Sequence, residues 1–126
     1  ENYCDFISRL VTVYKRSKKL KNPINTYQNL IWAKDFIHDN YDKNIDINSI
    51  SENACLSSFH LIRSFKKSFG LTPMQYLRNL RVEKAKCLIR KKKIAQSAYE
   101  VGFFDHSHFI RSFKKIEGIP PSTIQN

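Results

Sequence analysis

Two stretches of this sequence carry the same six side chains in the same order, Ile62-Arg63-Ser64-Phe65-Lys66-Lys67 and, 48 residues later, Ile110-Arg111-Ser112-Phe113-Lys114-Lys115. The chemistry they offer is cationic and directional. A guanidinium such as that of Arg63 or Arg111 is a planar fork of donors that can bond guanine O6 and N7 together, a pairing worth ~1–3 kcal/mol of discrimination. The same arginine on an ordinary helix surface would bond phosphate or a neighbouring carboxylate instead. Lys66, Lys67, Lys114 and Lys115, with Lys92 in the run Arg90–Lys93, are point charges suited to phosphate, or form a solvated basic face. Ile62 and Ile110, each next to an arginine, could meet thymine methyl groups or pack on the preceding helix.

Other reactive residues form no site. Asp105-His106-Ser107 spells out a catalytic triad, but adjacent helical residues point about 100° apart and cannot form the relay. His106 and His108, two apart, are poor co-ligands for the same reason. Cys4, Cys55 and Cys87 are far apart and odd in number, which fits neither a disulfide framework nor a zinc knuckle. They read as buried or half-buried thiols in a reducing cytoplasm, with Cys87 inside an apolar stripe beside Leu80 and Leu88. The sequence therefore implies no enzyme, no metal and no cofactor.

Twenty-two Lys and Arg against eleven Asp and Glu give a net charge of +11 over 126 residues. Such an excess attracts polyanions and ties affinity to counterion release. Charge alone does not separate DNA from RNA or an anionic membrane surface. A membrane-surface or anionic-partner module anchored through Lys15–Lys21 is the rival reading. No apolar run approaches the ~18–20 residues of a membrane span, and Glu1–Leu20 does not read as a signal peptide, so the expected location is the cytoplasm. The opening Glu1 suggests a piece of a longer polypeptide.

The elements that must position these residues are helices. Three glycines and four prolines leave little room for the turns of a β fold, and apolar spacing is helical nearly throughout. An amphipathic helix is expected over 3–20, a basic linker over 21–26, and a second helix from Tyr27 to Tyr41. After each hexapeptide comes the same punctuation: Gly70-Leu71-Thr72-Pro73 and Gly118-Ile119-Pro120-Pro121. Glycine ends a helix in the left-handed conformation, and proline opens the next at a position with no amide to satisfy. Shorter helical patches precede each copy, around Ile47, Ile50 and Ala54, and around Ile94, Ala98 and Val101. Short helix, tight turn and basic helix are the pattern of a helix-turn-helix, whose second helix enters the major groove N-terminus first. Pro73–Lys91 has no breaker and reads as one linking helix. The fold class is thus all-α: two helix-turn-helix units, 27–72 and 92–126, joined by a linker helix over 73–91.

Within each unit the periodicity sorts the faces. Leu61, Phe65 and Phe69 face inward in the first copy, Phe109 and Phe113 in the second. Phe59, His60, Ile62 and Arg63, and His106, Ser107, Ile110 and Arg111, are the candidate base contacts. Ser57 is a good N-cap whose helix amides could also bond phosphate. In the second copy Phe104 replaces that serine and Asp105 follows it, which leaves the cap ambiguous.

Ala98-Tyr99-Glu100-Val101-Gly102-Phe103, Ser107-His108-Phe109-Ile110-Arg111 and the Gly-x-x-Pro endings resemble the signature of AraC/XylS-type regulators. So do Leu56-Ser57, Tyr76-Leu77 and the linker Leu80-Arg81-Val82-Glu83-Lys84-Ala85. The resemblance covers residues 27–126. It implies a seven-helix domain with two recognition helices in successive major grooves on one DNA face. Family base contacts fall on Phe59, Ile62, Arg63, His106, Ser107, Ile110 and Arg111. It further implies bacterial transcription control, usually activation through RNA polymerase, and a separate ligand-binding or dimerisation domain. Residues 1–26 would be a remnant of that domain, and they or the missing domain are the candidate homodimer surface. Ser64, Ser97, Ser112 and Ile124 depart from the family pattern, at a cost in apolar contact rather than on the DNA face.

A geometric expectation follows. Grooves on one face repeat every ~34 Å, whereas a linker of 73–91 spans only ~28 Å. If the linker sets the spacing of the recognition helices, either the duplex bends toward the protein or one unit stays partly disengaged. The two copies run in the same chain direction, so one monomer should read an asymmetric site, with both cationic faces turned outward together.

Overall fold

The computed structural model describes residues 26–125. The expected helix at 3–20 and the linker up to residue 25 lie outside the described residues. Among those described there are six α-helices, one 3-10 turn and no strand: α1 (Thr26–Asn40), α2 (Ile47–Ala54), α3 (Ser58–Phe69), α4 (Pro73–Ile89), α5 (Ile94–Glu100), α6 (His106–Glu117) and the turn Pro121–Thr123. The all-α expectation with two helix-turn-helix units holds. No helix among the described residues is long and apolar enough to cross a membrane.

The starts of α2 and α4 have a chemical cause. Asp46 caps α2 in a reciprocal box with Ser49, and Thr72 does the same for α4 with Gln75, directly before Pro73. Gly70 and Gly118 end α3 and α6 at φ 80° and 81°, and their amides donate to the carbonyls of Lys66 and Lys114 at 2.8 Å in both copies. A Cβ at either glycine would meet nothing within 4 Å, so backbone conformation, not space, selects the residue.

The apolar faces gather into two cores. The first holds Leu30, Ala33, Ile37, Ile50, Ala54, Leu56, Leu61, Phe65 and Leu77. The second holds Val82, Ala85, Ile89, Ala98, Val101, Phe103, Phe109 and Phe113. The linker helix α4 therefore serves both: Leu77 is buried in one core and Val82, five residues on, in the other. Tyr41 packs against both cores from the loop after α1. The linker is thus more than a spacer between finished units. It supplies a wall to each.

Two sequence readings need correction. Cys87 is exposed rather than part of the core, whereas Cys55 is buried. The apolar stripe of α4 rotates past position 87, and the buried positions are Val82, Ala85 and Ile89. The linker helix also ends at Ile89, not Lys91, with Arg90 closing it. Of the serine departures, Ser97 is fully buried but donates its hydroxyl to the Lys93 carbonyl at 3.0 Å, which removes the cost of an unpaired polar group. Ser112 is buried and Ser64 half-buried.

Candidate nucleic-acid interface

α3 and α6 are twelve-residue helices with one buried and one exposed side. Leu61 and Phe65 seat α3 on the first core, and Phe109 and Phe113 seat α6 on the second, all fully buried. Phe69 is half-buried and stacks edge-on against Phe65, with ring centres 4.7 Å apart. Burying Leu61 and Phe65 on α3, and Phe109 and Phe113 on α6, fixes the rotation of each helix and turns its opposite side to solvent.

On α3, Phe59, His60, Ile62, Arg63, Lys66 and Lys67 are exposed. Phe59 is 69% exposed, which is unusual for a phenylalanine unless it has another partner. Its ring lies 5.5 Å from the Arg63 guanidinium, one helical turn on. The guanidinium thus lies over the first turn of the helix, within cation–π reach of the ring. Ser57 accepts from the His60 amide at 3.1 Å and is the N-cap the sequence suggests.

On α6, His106, Ser107, Arg111, Lys114 and Lys115 are exposed. Ile110 is half-buried and packs against the second core, unlike its counterpart Ile62 at 38% exposure. The two isoleucines are therefore not equivalent, and the packing role fits Ile110 better than it fits Ile62. Asp105 is the second cap: one carboxylate oxygen accepts from the Ser107 amide at 3.0 Å and from the His108 amide at 3.4 Å. That engagement also shows what the Asp-His-Ser run is. The carboxylate holds backbone amides, not an imidazole.

The basic run after α4 is divided. Arg90, Lys91 and Lys93 are exposed, whereas Lys92 places its ammonium 2.8 Å from both carboxylate oxygens of Glu100. The lysine holds the Glu100 carboxyl below the ordinary carboxylate range, mainly through this hydrogen bond. Of the phosphate candidates, Lys92 alone meets this carboxylate, so Glu100 competes with a phosphate for its ammonium. Among the described residues no group of three or more His, Cys, Asp or Glu could hold a metal ion.

Features not expected from sequence cluster at the second turn. Tyr99 and Phe104 are 66% and 57% exposed and touch edge to face at 5.6 Å. Arg81 and Gly102 meet beside Tyr41 in the interior, a contact between segments far apart in sequence. No local pattern announces a contact across forty residues.

A family model described as a helix-turn-helix domain matches residues 50–126, more than half of the chain. The chain belongs to the AraC/XylS family. Its AraC-type domain is a DNA-binding module, not an enzyme fold. It is 36% identical over 75 residues to the HTH-type transcriptional regulator YbfI of Bacillus subtilis, covering 59% of this chain and 27% of that protein. It is 29% identical over 109 residues to the transcriptional activator RhaS of Escherichia coli (strain SE11), covering 85% of this chain and 39% of that one. An AraC-type transcriptional regulator from Chromobacterium violaceum superposes with a TM-score of 0.72 at 25% identity, covering 79% of this chain and 90% of that structure. The chain spans about a quarter to a half of the length of the curated relatives it matches first.

Proposed function

We propose that this AraC-type domain binds double-stranded DNA sequence-specifically, with α3 and α6 in successive major grooves, and thereby controls bacterial transcription. The observation that carries the reading is the matched pair of helices. Each has a side-chain N-cap, a buried aromatic face and an exposed Arg-Lys-Lys face. Arg63 and Arg111 read bases, with Phe59, His60 and Ile62 beside the first and His106, Ser107 and Ile110 beside the second. Ser57, Lys66, Lys67, Lys114 and Lys115 hold phosphate, and Lys92 joins them in competition with Glu100. Activation through RNA polymerase, and a homodimer through residues 1–26 or a further domain, rest on the family resemblance, the former also on RhaS being a named activator.

The two faces differ in cap, in isoleucine burial and in first-turn residues, so the half-sites should be unlike. α4 is 17 residues long, about 26 Å at 1.5 Å per residue, against the groove repeat of about 34 Å. If α4 sets the separation of α3 and α6, a bound site is bent toward the protein when both units engage. Selection of duplexes from a random pool tests the reading: it should return an asymmetric site of two unlike elements. A bending assay on that site should show curvature. A pool without enrichment, or a palindrome selected by a monomer, would overturn the assignment.

A further inference from the structure

Arg81 stands on α4 where the helix passes from one core to the other, between Leu77 and Val82. Its guanidinium reaches back to the loop after α1. Nε donates to the Tyr41 carbonyl at 2.7 Å, and one terminal nitrogen donates to the Lys43 carbonyl at 2.9 Å. The guanidinium carbon lies 5.8 Å from the centre of the Phe103 ring, which belongs to the second core. Gly102 makes room for this approach. A Cβ there would lie 2.7 Å from the Tyr41 carbonyl oxygen and 2.9 Å from Arg81 Nε, and its φ of 98° already demands glycine.

One side chain thus bonds the first unit through its nitrogens and lies within cation–π reach of a ring of the second. Both hydrogen-bond acceptors are backbone carbonyls, so the grip registers the path of the chain rather than a mobile side chain. Burial draws the guanidinium pKa down and the nearby Asp42 opposes that shift. A lysine could not substitute, because an ammonium on a flexible stem offers neither a rigid fork nor a flat face.

We infer that Arg81, seated against Gly102, is a positioning residue that locks the second helix-turn-helix unit to the first and so sets the half-site spacing the protein accepts. The clasp is read from the structure alone. Its consequence for DNA rests on the function proposed above. With both units held to one frame, a duplex whose half-sites are displaced by one base pair satisfies only one recognition helix.

Arg81→Lys and Gly102→Ala test this from the two sides of the contact, each checked first for a cooperative thermal transition. In the free protein, backbone residual dipolar couplings should fit one alignment tensor for wild type and require two for either variant. On DNA, wild type should lose about tenfold or more in affinity when one base pair is inserted between the half-sites, comparable to a mismatched position. Arg81→Lys should reduce that ratio to about threefold or less, on the same scale of discrimination. A residue that only stabilised the fold would weaken both spacings equally and leave the ratio intact. A single tensor together with the wild-type ratio in Arg81→Lys overturns the inference. If wild type selects no duplex, the reading of α3 and α6 fails by itself, and the dipolar couplings still decide the clasp.

Discussion

Replacing Asp105 by alanine takes the acceptor away from two backbone amides at once, those of Ser107 and His108. The second bond, at 3.4 Å, is long, so the loss is nearer that of one good cap than of two. An N-cap to alanine change costs about 1 kcal/mol. The lost carboxylate also leaves the positive end of the α6 dipole uncompensated, a further ~0.3–0.5 kcal/mol at an exposed position. The sum, about 1.3 kcal/mol, should lower Tm by roughly 5–10 °C in a domain of this size. Asp105→Asn keeps an acceptor and loses only the charge, so its Tm should fall by about 1–4 °C. Ser57→Ala removes the single 3.1 Å bond at the other cap and should cost about 1 kcal/mol. Thermal unfolding followed by far-UV circular dichroism, at low salt and at 1 M salt, separates the parts. The gap between wild type and Asp105→Asn should close at high salt because the dipole term is screened, whereas the alanine deficit should persist. If Asp105→Ala melts with wild type, water serves those amides as well as the carboxylate does and the capping argument is refuted.

Three further perturbations address separate parts of the domain. Arg63→Ala and Arg111→Ala should each relax preference at one base pair by ~1–3 kcal/mol, while Lys66→Ala should weaken all sequences alike and reduce the salt slope by about one; equal losses by the arginine variants on specific and random DNA would remove them as readers. Phe65→Ala or Phe113→Ala, each emptying a fully buried site, should cost ~3–5 kcal/mol in urea unfolding, with a loss under ~1 kcal/mol showing that the site collapses around the gap. The lowered pKa of Glu100 means that its contribution is complete above the ordinary glutamate pKa and disappears as pH falls through the lowered value. Lys92→Met should therefore flatten the stability profile over that acid window, and an unchanged profile would show that the ion pair does not contribute.

What was legible in the sequence was local and periodic. The doubled hexapeptide, the Gly-x-x-Pro punctuation and the cap Ser57 depend on neighbours within a helical turn or two. Linear reading therefore placed α3, α4 and α6, and put Arg63 and Arg111 on exposed faces. The cap of α6 was ambiguous between Phe104 and Asp105 because capping depends on where the turn ends, and only the backbone path at Asp105 decides that. Cys87 was misread because a stripe of apolar letters does not state which side of α4 faces a neighbour. The two cores lie on sides that leave position 87 in solvent.

The sequence by itself determined the fold class, the two helices with exposed basic faces and the anionic kind of partner their charge selects, because period, punctuation and net charge are properties of the chain. Only the tertiary structure decided that Ile110 packs while Ile62 projects, that Lys92 is held by Glu100, and that Arg81 joins Tyr41 and Lys43 to the turn at Gly102. Those outcomes depend on how helices distant in sequence pack against one another. Contacts across that distance leave no mark on local periodicity.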